Sequence, residues 1–140
     1  MRKSLSLVTA VGAVLLAGNL AMIPAASAGD ALPTDKQCSK LKPEDSLTKG
    51  WCVMINRKKG NCLACHDVVT KRFPADLPPA GNIAPPLVSM KARFPDKAKL
   101  REQIWDATIA NPNTIMPPFG KHRILSEKEV DLVTEYIYTL

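Results

Sequence analysis

The chain has 140 residues, 46% of them hydrophobic, and a formal net charge of +6 from 19 lysines and arginines against 13 aspartates and glutamates. This length allows one small domain beside any targeting segment. The cations are spread along the chain without a long run, which argues against a nucleic-acid-binding protein.

Residues 1–28 have the pattern of a secretory signal peptide. A positive start at residues 2–3 precedes a mostly apolar run over residues 5–23, and residues 26–28 are small enough for cleavage. An uncleaved membrane anchor is the alternative, but it needs about 20 unbroken apolar residues, and a glycine, an asparagine and a proline interrupt this run. We predict export to the periplasm, cleavage after Ala28 and a mature chain without a membrane span.

The N-terminal arm, residues 29–45, combines prolines with charged residues, and we predict an extended segment. The chain has four cysteines. The motif described below uses two of them, which leaves Cys38 in this arm and Cys52 in the segment that follows. In an oxidising compartment, a disulfide between Cys38 and Cys52 is the expected state. A disulfide to a partner chain and a reactive Cys52 are the alternatives, because connectivity cannot be deduced from sequence.

A first helix is predicted from Ser46, an acceptable N-cap, because four apolar residues recur at helical spacing. They are Leu47, Trp51, Met54 and Ile55. The cations at residues 57–59 favour the C-terminal end of this helix, and Gly60 can then turn the chain.

The pentapeptide Cys62-Leu63-Ala64-Cys65-His66 is a C-x-x-C-H motif, the attachment pattern of one c-type haem. Two thiols at this spacing can each add to a haem vinyl group, and the adjoining histidine can bind the iron. A chance match and a thioredoxin-like redox pair are the alternatives, but a redox pair needs a βαβ setting that the sequence does not show. We predict one covalently bound haem c and a short helix over residues 61–70.

A long irregular loop is predicted next, since residues 73–87 contain five prolines and Gly81. A loop of this length is usually functional or packed on something, here the haem. Pro85 is the candidate to accept a hydrogen bond from Nδ1–H of His66, which would fix the tautomer and orientation of the ring. A stiff turn without this role is the alternative, and no convincing strand is found.

Two further helices are predicted. The first is capped by Asp96 and ends before Asn111-Pro112, with Trp105 assigned to core packing. The second starts at a capping box formed by Ser126 and Glu129. Its apolar stripe consists of Val130, Val133, Ile137 and Leu140, with Tyr136 beside it.

Met116 is the candidate second axial ligand of the iron, because the two prolines directly after it hold the backbone rigid. A thioether opposite a histidine raises the reduction potential relative to two histidines. His122, Met90 and an open sixth site are the alternatives. Lysine and arginine flank His122, which indicates a solvent-exposed position, and Met54 is expected in the core.

The order of these features resembles that of the class I cytochromes c from about residue 46 to the end. The resemblance implies an all-α domain, residues 46–140, with three to five helices and proline-rich loops wrapped around one covalent haem. In that fold the first and last helices cross at close range, so Gly50 and Tyr136 are expected to be in contact.

Four separated strings, residues 57–66, 83–87, 100–106 and 111–120, are similar to the mono-haem SoxX subunits of SoxAX thiosulfate-oxidising complexes. The resemblance implies that His66 and Met116 are the axial ligands. It also implies an electron-transfer subunit without catalytic residues, bound to a SoxA-like haem subunit that carries the reactive cysteine. That enzyme, of the L-cysteine S-thiosulfotransferase type, joins thiosulfate to a cysteine of the carrier SoxYZ, and a soluble cytochrome c accepts the electrons.

Two other functions are compatible with the same motif. A free-standing class I cytochrome c carrier would share the haem site but need no stable partner. A haem enzyme or gas sensor would need an open sixth site, and the rigid sequence after Met116 argues against it. No nucleophile with an adjacent base stands out in the chain.

Overall fold

The computed structural model describes residues 31–140, and the predicted signal peptide lies outside them. Within residues 31–140, five α-helices follow one another: α1 (Asp35–Cys38), α2 (Ser46–Ile55), α3 (Met90–Arg93), α4 (Lys97–Trp105) and α5 (Glu127–Ile137). Two short parallel strands, β1 (His66–Val68) and β2 (Ala84–Leu87), pair His66 with Ala84. The predicted arrangement of helices and proline-rich loops is confirmed, with this small sheet added. Within the described range, no helix has the length and apolar character needed to cross a bilayer.

The first long helix begins where the sequence predicts it but is capped by a different residue. The side chain of Asp45, not that of Ser46, accepts the hydrogen bond from the backbone N–H of Thr48, at 2.7 Å. The helix ends at Ile55, before the cations expected in its last turn. The turn that follows uses Asn61, whose φ of 47° is left-handed, a conformation that asparagine tolerates better than most residues.

The helix predicted over residues 61–70 is wrong. Cys62–Ala64 forms a single 3₁₀ turn, and β1 follows it. The proline-rich loop takes the carbonyls that a helix would need: Gly81 N–H donates to Leu63 O at 2.8 Å, and Ala84 N–H donates to Cys65 O at 2.9 Å. The sheet that the sequence pattern did not predict forms next to these non-local hydrogen bonds, where β1 pairs with β2.

The N-terminal arm is fastened to α2 rather than simply extended. Leu32 is buried, and the indole N–H of Trp51 donates to Pro33 O at 2.7 Å. The short helix α1 follows, and the structure joins Cys38 at its end to Cys52 in α2 by a disulfide, with Cα atoms 5.5 Å apart.

Two predictions for the second half of the chain are confirmed and one is wrong. Asp96 caps α4, and Ser126 and Glu129 form the capping box of α5. The helix α4 nevertheless ends at Trp105 and not near residue 111, because the side chain of Asp106 accepts from the backbone N–H of Thr108 at 3.1 Å and favours a turn there. The short helix α3 was not predicted.

The core lies where α2 crosses α5. Its largest fully buried side chains are those of Trp51, Met54, Met90, Leu125, Val130 and Val133. The ring of Tyr136 lies against that of Trp51, with centroids 5.4 Å apart. At the crossing, Gly50 faces α5 so closely that a Cβ atom there would lie 2.9 Å from Cβ of Tyr136 and 2.1 Å from Leu132 O. The expected contact between Gly50 and Tyr136 is therefore present.

We expect Gly50→Ala to destabilise the protein, because the added methyl group must push the two helices apart. Overpacking of this kind costs roughly 1–3 kcal/mol or more, against a gain in helix propensity of about 1 kcal/mol. Urea unfolding followed by far-UV circular dichroism measures the change, with Lys128→Ala on the exposed face of α5 as the control. A Gly50→Ala midpoint equal to that of the control would contradict the close crossing.

Candidate haem-binding site

A cavity of about 570 Å³ lies between the C-x-x-C-H turn, β2, α3, α4 and the loop before α5. Its wall contains all five residues that the sequence assigns to haem binding: Cys62, Cys65, His66, Pro85 and Met116. Most of the other wall residues are apolar, and nine of these come from α4, α5 and the loop between them. The volume is within the range of about 300–1,000 Å³ that is typical of ligand and cofactor sites.

The imidazole of His66 is oriented by the proline-rich loop. Its Nδ1 lies 2.8 Å from the carbonyl oxygen of Pro85. A carbonyl can only accept, so Nδ1 carries the proton and Nε2 keeps its lone pair for a metal. Pro85 thus has the position that the sequence predicts for it. The pairing of β1 with β2 makes this contact possible, since it sets His66 beside Ala84.

A glycine holds the C-x-x-C-H turn against the same loop. A Cβ atom at Gly81 would lie 2.1 Å from Ala64 O, so only glycine allows this close approach. The N–H of Gly81 uses it to donate to Leu63 O. The thiol-bearing turn is therefore fixed from both sides, by Asn61 before it and Gly81 against it.

The two thiols of the motif are free and half-buried. Burial raises the pKa of the Cys62 thiol to about 12. A thioredoxin-like redox pair requires the opposite, a lowered thiol pKa that favours the thiolate. The environment of Cys62 is therefore unlike that of a nucleophilic thioredoxin-like thiol.

Met116 reaches the wall from a stretch without regular secondary structure. Its N–H donates to the Thr114 hydroxyl at 3.1 Å, and its Sδ lies 4.0 Å from Nε2 of Gln103 in α4. The prolines after it keep the backbone extended. The side chain is half-buried, with a thioether available to the cavity.

The other candidate ligands are placed less favourably. Met54 is fully buried in the core, and neither it nor the exposed His122 belongs to the cavity wall. Met90 does line the cavity, but its Sδ accepts from the charged guanidinium of Arg93 at 3.5 Å, a shorter contact than the 4.0 Å between Gln103 and Sδ of Met116. Met116 is therefore better placed than Met90 to bind an iron.

The charged residues of the wall are all cations: Arg57, Lys58, Lys59 and Arg93. Lys59 also pairs with Glu129 of α5, and Arg93 donates to Pro86 O at 2.7 Å. Such a rim suits a ligand with anionic substituents, as a haem has in its two propionates. Paired thiols, an oriented imidazole, an available thioether and a cationic rim around an apolar cavity together fit a covalent haem.

A family model described as Cytochrome c matches residues 57–140. The chain belongs to the cytochrome c family. The crystal structure of SoxXA from P. pantotrophus contains a chain of similar fold, with a TM-score of 0.56 and 24% sequence identity, over 78% of this chain and 98% of that one. No curated protein matches the sequence significantly. This likeness shows a shared fold.

Membership of the cytochrome c family makes the protein a haem-dependent electron-transfer protein with covalently bound haem c. When bound, that group supplies one-electron oxidation and reduction. The residues of the chain would have other tasks: the thiols would hold the cofactor, the carbonyl of Pro85 orients His66, and the apolar wall would keep water away from the bound group.

Several residues of the site were missed from the sequence. From the sequence, Gly81 was interpreted only as a helix breaker. In the structure its N–H donates to Leu63 O, and its lack of a side chain allows the close approach to Ala64. Gln103 lies in α4, and no local pattern links it to a methionine thirteen positions later in the chain. The sequence does not distinguish Arg93 from the other cations, because its hydrogen bond to Pro86 O forms only in the folded chain.

Proposed function

We propose that the protein is the mono-haem electron-transfer subunit of a periplasmic SoxAX-type complex. The observation that supports this proposal most strongly is that five predicted haem-binding residues line one cavity. They are Cys62, Cys65, His66, Pro85 and Met116. The SoxX-like strings contribute three of its parts, the thiol turn, the Pro85 segment and the Met116 segment. The likeness in fold to a chain of SoxXA supports the same assignment.

In this proposal, one haem c is attached to Cys62 and Cys65, with His66 and Met116 as axial ligands. Pro85 orients His66 through its carbonyl. The signal peptide, residues 1–28, directs the chain to the periplasm, and the arm, residues 29–45, precedes the haem domain, residues 46–140.

The cysteine inventory supports placing the sulfur chemistry on the partner. The chain has four cysteines; Cys38 and Cys52 form a disulfide, and the other two hold the haem. No thiol remains to react with thiosulfate. A SoxA-like subunit would therefore supply the reactive cysteine. Thiosulfate would be joined through a new S–S bond to a cysteine of a SoxYZ carrier, an oxidation that releases two electrons, and these would pass one at a time through this chain to a soluble cytochrome c.

Co-purification from the native periplasm tests this function. The tagged mature protein is expected to capture a second haem-staining chain of SoxA type at equal stoichiometry, and the captured complex is expected to be reduced by thiosulfate only when the carrier is added. An unrelated periplasmic protein with the same tag controls for unspecific capture. A lone monomer that many donors reduce would establish the free-standing carrier instead.

A further inference from the structure

Met116 lies on a loop, residues 106–121, that we call the methionine loop. Its internal hydrogen bonds join near neighbours: Asn111 N–H donates to Ala107 O at 3.1 Å, and Thr114 N–H donates to Asn111 O at 3.0 Å. These local bonds shape the loop but do not fix it to the haem cavity. The contact of Met116 with Gln103 is long, at 4.0 Å. The position of the sulfur therefore depends on how the rest of the loop is held, by the buried Phe119 and at the two ends of the loop.

The two ends meet on the last residue of α4. The carbonyl oxygen of Trp105 accepts from Gly120 N–H at 3.1 Å and from Lys121 N–H at 3.2 Å. Gly120 lies directly on the indole, where a Cβ atom would come within 2.0 Å of the ring. The C-terminal end of the loop is thus packed against Trp105, the residue that directly precedes the loop.

An ion pair also joins the two ends of the methionine loop. Nζ of Lys121 lies 2.7 Å from Oδ2 of Asp106, and the side chain of Asp106 is only 6% exposed. Asp106 is the one charged residue that is buried within residues 31–140. Its other oxygen accepts from the N–H and the hydroxyl of Thr108. A carboxylate with so little access to water depends on these partners, because an unpaired buried charge is costly.

We propose that the Asp106–Lys121 pair is a clasp that positions Met116 for the haem iron. The inference rests on the proposed function, in which Met116 is the sixth ligand. Closing the loop at its base removes conformations in which the sulfur lies away from the iron. Without the pair, part of the population has an open loop, and an external ligand can then compete for the sixth site. Asp106 and Lys121 are positioning residues, since neither needs to touch the iron.

Imidazole binding to the ferric holoprotein tests the clasp. Lys121→Gln removes the charge from a half-exposed side chain, and Asp106→Asn removes it at nearly constant shape. In each variant we expect imidazole to bind about tenfold more tightly than in the wild type. Lys121→Arg keeps the ion pair and is expected to restore the wild-type affinity. Lys99→Gln, which breaks the exposed pair of Lys99 with Glu102, is the matched control and should change nothing.

Two spectroscopic measurements separate positioning from a general loss of structure. Far-UV circular dichroism at the assay temperature should be the same in all variants, while the ferric absorption band of thioether–iron coordination should weaken in Lys121→Gln and Asp106→Asn. Equal imidazole affinities for wild type and both variants would overturn the clasp and leave the proposed function intact. Absence of thioether coordination in the wild type would overturn the clasp together with the assignment of Met116.

Discussion

The double variant Cys62→Ala/Cys65→Ala is expected to contain no covalent haem and to lose its stable fold. Both thiols lie in the wall of the 570 Å³ cavity, and the same wall includes core side chains such as Leu100, Ile104 and Val133. The double variant lacks the cofactor that would fill this cavity, so the wall has no apolar group to pack against. A small domain has only about 5–15 kcal/mol of net stability, so the loss of this packing removes a large part of it.

Haem staining after denaturing electrophoresis measures attachment, and thermal unfolding followed by circular dichroism measures the fold. The single variants are the matched controls, since each keeps one thiol and should still retain some covalent haem. A haem-free double variant with a cooperative transition at the wild-type temperature would contradict the view that the cofactor completes the core.

Met116→Ala is expected to keep the haem attached and to lower its reduction potential by on the order of a tenth of a volt or more, within the ~0.8 V range that axial ligands control. The soft thioether favours ferrous iron, and alanine has no atom to replace it. Water, or a stronger ligand such as His122 after a loop rearrangement, would then favour the ferric state. Attachment should not change, because the thiols lie on a separate turn.

Potentiometric titration with absorption spectra measures this shift. Met90→Leu and Met54→Leu are the controls, one in the cavity wall and one in the core, and both should retain the thioether band and a potential near that of the wild type. Unchanged axial spectra in Met116→Ala would show that the sulfur of another residue binds the iron.

Features that depend on neighbouring residues were predictable from the sequence. The C-x-x-C-H spacing, the box of Ser126 with Glu129 and the cap at Asp96 each operate within a few positions. The stripe of α2 predicted the burial of Trp51, Met54 and Ile55, but Leu47 at its start is exposed. The predicted cap, Ser46, was wrong by one position, because the side chain of Asp45 can accept the same kind of hydrogen bond.

Features that depend on distant pairing were not predictable. The helix expected over residues 61–70 was displaced by bonds from Gly81 and Ala84, which lie far along the chain and join it only in the folded state. The closure of the methionine loop joins Asp106 to Lys121 across fifteen positions, and no periodicity marks such a pair. Pro85 was predictable because a proline carbonyl near a haem-binding histidine has a recognisable chemical use.

Proton–carbon NMR of the ferrous holoprotein, with ¹³C only in the methionine methyl groups, tests the central claim most directly. Three methionines follow the predicted cleavage site: Met54, Met90 and Met116. A single methyl signal shifted strongly upfield by the haem ring current, and lost in Met116→Leu, is the result that a His66–Met116 haem centre predicts. Three methyl signals at ordinary positions, or a shifted signal that survives in Met116→Leu, would contradict it.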